Sequence, residues 1–123
     1  MAIAVDPKFV HRYILKEDRD KPEGERTVFP IRAQTDRIER EASMLAAERR
    51  FWDSGMCILR ACLDPWENFK RADGSDVPWE TDSNNGKPTA ATICRISERN
   101  RAELLDAIQA LGNAKLSETD LGN

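Results

Sequence analysis

Two stretches of this chain repeat their apolar residues every three to four positions, with a turn-rich segment between them. That pattern constrains the fold more than any single residue, because each stretch carries an apolar stripe that must be covered. The first stretch runs from Thr35 to Trp52 without glycine or proline and is rich in Glu, Arg, Ala and Leu. Thr35 is placed to cap it, and Asp36 lies in its first turn, where a carboxylate suits the helix dipole. Ile38, Ala42, Leu45, Arg49 and Trp52 form its stripe, with Ala46 alongside. Asp53-Ser54-Gly55 ends it, Gly55 being suited to a left-handed terminal residue. Arg49 and Arg50 then fall near the C-terminus, where positive charge stabilises a helix. In the second stretch Ser97 is the cap and Ile96 precedes it. Leu104, Leu105, Ile108 and Leu111 form the stripe, and Gly112 is the stop.

Between them, Met56 to Leu63 is a short apolar run that periodicity alone does not assign. As a helix it would gather Ile58, Leu59, Cys62 and Leu63 on one face; as a strand, Cys57, Leu59, Ala61 and Leu63. Its Ala, Leu, Met and Arg content favours the helix, and Pro65 limits its extent. Residues 64–88 are irregular: Asp73-Gly74 and Ser83-Asn84-Asn85-Gly86 are turn signals, and Pro78 and Pro88 block regular elements.

The N-terminal part reads as a β-hairpin. Phe9, His11, Tyr13 and Leu15 would share one strand face, and Thr27, Phe29 and Ile31 one face of a second strand. The polar stretch from Lys16 to Glu25, with Pro22 and Gly24, joins them. Pro30 cannot donate a ladder hydrogen bond, which places the second strand at an edge or bulge. A two-stranded hairpin is marginal alone and needs a packing partner. The fold class is therefore α+β. The hairpin packs on a small bundle of about three helices, with an irregular Trp-containing region before the C-terminal helix. Its 123 residues suit one compact domain over 1–112, followed by a polar tail over 113–123 in which Leu116 and Leu121 can dock.

Charge bears on partners. A third of the residues are charged, yet residues 1–60 carry 12 basic and 11 acidic side chains and residues 61–123 carry 7 and 11. Neither half has the basic excess of a nucleic-acid binder. The run Lys16-Glu17-Asp18-Arg19-Asp20-Lys21 mixes signs and reads as a solvated loop. No apolar run approaches the roughly 20 residues of a membrane span. Met1 to Pro7 lacks the basic and apolar regions of a signal peptide. Cys57, Cys62 and Cys94 are odd in number and have no close CxxC pair, which points to buried free thiols in a reducing cytoplasm.

Little in the sequence suggests catalysis. His11 is the only histidine and reads as a structural one; no second histidine and no suitably spaced cysteine pair offers a metal site. No nucleophile elbow, phosphate-binding glycine loop or HExxH is present. Asp73-Gly74-Ser75-Asp76 with Glu80 and Asp82 superficially resembles a calcium loop but fails the EF-hand template, so a solvated turn is the better reading. The expectation is a non-enzymatic protein with no cofactor and no metal. The informative excess is tryptophan: Trp52, Trp66 and Trp79. Tryptophan ordinarily builds the core of a small domain. Those in the irregular region, Trp66 and Trp79, with Phe69 beside them, are the candidates for anchoring a protein partner.

Three segments resemble small tail-region proteins of phages and prophages. They are Phe9 to Arg19 followed by Arg26 to Ala33, then Trp66-Glu67-Asn68-Phe69-Lys70-Arg71-Ala72-Asp73-Gly74-Ser75-Asp76-Val77-Pro78-Trp79, and last Glu103 to Ile108 with Leu116-Ser117-Glu118 and Gly122-Asn123. Residues 34–63 match only in being helical and apolar. Proteins of this layout are read as tail assembly chaperones, which would coat the tape-measure protein before the tail tube polymerises. The resemblance implies a protein partner in the host bacterial cytoplasm and no catalytic residues. It leaves open self-association, a virion structural role such as a connector or tail-completion protein, and a small inhibitor of a host enzyme or immune complex.

Overall fold

The computed structural model describes residues 8–112. The expected tail over 113–123, with Leu116 and Leu121, lies outside the described residues, as does the segment 1–7. The elements are β1 (His11–Ile14), β2 (Val28–Ile31), α1 (Asp36–Ala47), α2 (Phe51–Cys62), α3 (Ala90–Ile93) and α4 (Glu98–Gly112), an α+β architecture.

β1 and β2 form an antiparallel hairpin with Tyr13 opposite Phe29 and His11 opposite Ile31. His11, Tyr13 and Leu15 are all buried, as their shared face requires. Phe9, expected on that face, precedes the strand and is 49% exposed. β2 is buried on both faces, not one. Residues 62–67 also run along its open edge. Val28 and Glu67 exchange backbone bonds at 3.0 and 2.9 Å, Asp64 N donates to the Pro30 carbonyl at 2.9 Å, and Arg32 N donates to the Cys62 carbonyl at 2.8 Å. Pro30 sits between these contacts, where its backbone has only to accept. A residue without an N–H therefore leaves no ladder bond unmade. Arg32 and Asp64 close the seam with a forked ion pair at 2.9–3.1 Å.

The hairpin connection is held by its own polar groups. It contains two single 3-10 turns, Lys16–Asp18 and Glu23–Glu25. Buried Asp18 accepts from Thr27 N at 3.3 Å and pairs with Lys21 at 2.9 Å. The Arg26 guanidinium donates to the carbonyls of Lys21 and Arg19, both at 2.8 Å.

Thr35 caps α1, its hydroxyl accepting from Ile38 N at 3.3 Å. The helix ends at Ala47, earlier than Asp53-Ser54-Gly55, and Gly55 lies inside α2. Arg49 takes the left-handed conformation at φ 61°. Arg49 N donates to the Ala46 carbonyl and Arg50 N to the Leu45 carbonyl, both at 2.9 Å, the paired closure of a Schellman ending. An arginine thus stands where glycine is usual, at a cost of about 1 kcal/mol. Because the chain reverses there, Arg49 and Trp52 leave the stripe assigned to them; both are exposed.

Met56 to Cys62 is helical, as composition favours, and Ile58, Leu59, Cys62 and Leu63 are all buried. α2 is the central element, packed against α1, α3 and α4. One core joins Tyr13, Leu15, Phe29 and Ile31 of the hairpin to Met56, Leu59 and Leu63, and to Ile93, Ile96, Leu104 and Ile108. Fully burying each large apolar side chain of this set contributes about 1.5–3 kcal/mol. The one-turn α3, capped by Thr89, was not expected from the sequence; it delivers Ile93 to this core. Ser97 caps α4, accepting from Asn100 N at 3.3 Å. Leu104, Ala107 and Ile108 are its buried face, with Leu105 and Leu111 half-buried beside it. Among the described residues no helix is long and apolar enough to cross a membrane.

Candidate protein-binding surface

The three aromatic anchor candidates are brought together in one cluster. Trp66 meets Phe69 and Trp79 edge to face, each with ring centroids 4.9 Å apart. Phe29 of β2 contacts Phe69 at 5.4 Å and Trp66 at 6.3 Å. Trp66 Nε1 donates to the Val77 carbonyl at 2.9 Å, and Trp66, Phe69 and Trp79 all pack, half-buried, against the main core. Edge-to-face pairs of this kind contribute about 0.5–1.5 kcal/mol each beyond area burial. The segment 64–79 thus adds ring contacts of Trp66 and Phe69 on Phe29 to the backbone bridges along the edge of β2.

The large exposed apolar side chains lie elsewhere. Phe51 and Trp52, in the first turn of α2, are 67% and 56% exposed, and Met44 of α1 is also exposed. Phe51 and Trp52 stand at a groove of about 320 Å³ between α2 and α4. Gly55, Met56 and Leu59 continue it along α2; Glu98, Arg101, Ala102 and Leu105 line it from α4. Gly55 permits the approach of the two helices: a Cβ there would stand 3.2 Å from Leu105 Cδ1. Trp52 also lines a neighbouring depression with Glu41, Cys57, Arg60 and Lys87. A third cleft, about 480 Å³, is lined mainly by polar side chains such as Gln34, Asp36, Glu39, Ser43 and Gln109.

Sequence reasoning missed Phe51 and Trp52 as surface residues because it carried one helix through Arg49. The available signal was Arg49, a cation inside an otherwise apolar stripe, followed by Arg50 and then by two large aromatics.

His11 is buried, its ring edge-on to Tyr13 at 6.2 Å. Not all thiols are buried: Cys62 is, Cys57 is half-buried and Cys94 is exposed. Burial pushes the Cys62 thiol up to about 12 and raises that of Cys57, where Glu41 adds to the effect. Asp73 accepts from Ser75 Oγ at 2.6 Å and Ser75 N at 2.9 Å, bonds that hold its carboxyl below the usual range and fold it onto its own turn. Among the described residues no group of three or more His, Cys, Asp or Glu side chains is placed to hold a metal ion.

Comparison with protein-family models, with curated proteins and with solved structures returned no match for this chain.

Proposed function

We propose that this chain is a non-enzymatic protein-binding factor, and within that class a tail assembly chaperone that holds a tape-measure protein in the host cytoplasm until the tube is built around it. The observation that carries the binding reading is the exposure of Phe51 and Trp52 beside the α2–α4 groove. Aromatic side chains left in water at a groove are costly to the free protein and are the residue types that dominate binding energies. The phage assignment is supported by the resemblance of the segments Phe9–Arg19, Trp66–Trp79 and Glu103–Ile108 to small tail-region proteins.

A chaperone of this kind works by covering. A tape-measure protein is long and helical, and its apolar stripe must stay shielded before assembly. A groove between two helices receives such a stripe by helix-in-groove packing. A short groove also suits release, since affinity must be low enough for the tube subunits to displace the chaperone.

The test is co-expression with a candidate tape-measure protein from the same genome. The chaperone reading expects co-purification of the two, with the chain missing from mass spectra of purified virions. Absence of co-purification would overturn it; presence in virions at structural stoichiometry would show a connector or completion protein instead.

A further inference from the structure

We infer that the groove between α2 and α4 selects a helix whose apolar stripe is flanked by a carboxylate, the carboxylate pairing with Arg101. The inference rests on the protein-binding reading and adds the chemistry of the partner.

The two charges lining the groove are not equivalent. Glu98 opens α4, directly after its Ser97 cap, so the partial positive charge of the helix N-terminus already compensates it. Arg101 stands at the end of that first turn, where the same dipole disfavours a cation. Its Nε is enclosed yet meets no acceptor, and its Nη1 reaches only the Cys94 sulfur at 3.8 Å. Other arginines of this chain are well matched: Arg32 is forked onto Asp64 and Arg12 onto Glu67. Arg101 thus leaves an uncompensated positive charge on the wall of an apolar groove. An incoming carboxylate would pair with the Nη end of this guanidinium, the enclosed Nε being out of its reach, in partly desolvated surroundings where charged hydrogen bonds are strongest.

A second copy of the chain fits this groove less well. Its most exposed aromatics, Phe51 and Trp52, are preceded directly by Arg49 and Arg50, which would bring cations towards Arg101. The favoured occupant is a separate amphipathic helix with acidic flanks.

Two designed helical peptides of about five turns, with identical leucine stripes and either glutamate or lysine at the flanking positions, are titrated calorimetrically into the full chain. The glutamate peptide is expected to bind about tenfold tighter or more, the ratio set by one charged hydrogen bond of about 1.5 kcal/mol. R101E should invert the preference, R101Q should abolish it, and circular dichroism should confirm that both variants fold. Trp52→Ala should weaken both peptides. Equal affinities for wild type, or a preference unmoved by R101E, would overturn the inference while leaving the groove as a binding site. If neither peptide binds but the tape-measure protein still co-purifies, the inference fails and the functional reading stands. If neither peptide nor client binds, both fail. Self-association that is lost in Trp52→Ala would put a second copy in the groove and overturn the inference as well.

Discussion

A β-carbon added at Gly55 of α2 would stand 3.2 Å from Leu105 Cδ1 of α4, a tight approach between the two helices. Two effects oppose each other on replacing it with alanine. Removing a glycine from a helix interior stabilises by about 0.5–1 kcal/mol. The tight contact opposes that gain, but Leu105 is half-buried at an open groove and its methyl can yield by a few tenths of an ångström. Gly55→Ala should therefore raise Tm by about 2 °C in a thermal melt. Gly55→Trp should instead fill the groove and block client capture.

Trp66 and Trp52 should respond oppositely to truncation. Trp66→Ala opens a void among Phe29, Phe69 and Trp79 and removes the bond to Val77, costing about 3 kcal/mol or more in a urea titration. Trp52→Ala should change stability by no more than about 0.5 kcal/mol, since the ring is mostly in water. Similar losses at the two sites would show that Trp52 has a structural role.

The hairpin and α4 share the carboxylate of Glu103. Glu103 Oε2 accepts from Tyr13 Oη at 2.8 Å and from Lys16 N at 3.0 Å. Glu103→Ala should cost about 1–3 kcal/mol, because it removes a charged acceptor from a buried tyrosine and from Lys16 N. A double-mutant cycle with Tyr13→Phe should give a coupling of about 0.5 kcal/mol or more. Additive losses would place the two residues in separate networks.

The cysteines supply a dependence on pH. The Cys62 thiol is raised by burial from 9.0 to about 12, so the unfolded chain loses this proton at lower pH than the folded one. The associated stability is fully present below about pH 9 and is lost as pH rises towards 12, at up to about 1.4 kcal/mol per pH unit. Cys62→Ala should flatten that part of the curve in denaturant titrations at pH 8 and pH 10. Under native conditions a thiol reagent should modify exposed Cys94 first and Cys62 only on unfolding.

The legible parts of the fold were those governed by local spacing. The α4 stripe of Leu104 and Ile108, the Ser97 and Thr35 caps, and the helical preference of Met56–Cys62 all depend on residues within a few positions of each other. The boundary at Arg49 was not legible because the left-handed residue there is not a glycine, while the nearby Gly55 offered a false stop. The pairing along the open edge of β2 was hidden for a different reason. It depends on residues 62–67 returning to its edge from more than thirty positions away. The surface followed from these two facts. Trp66 and Phe69 are held against Phe29 of β2 with Trp79 on Trp66, and ending α1 at Ala47 left Phe51 and Trp52 at the start of a new helix, in solvent.

The measurement that bears most directly on the account is hydrogen exchange of the chain with and without its co-expressed client. Client binding at the groove should slow exchange across residues 51–59 and 98–105, with the 66–79 segment unchanged. Protection confined to the Trp66, Phe69 and Trp79 cluster, with the groove unaffected, would contradict it.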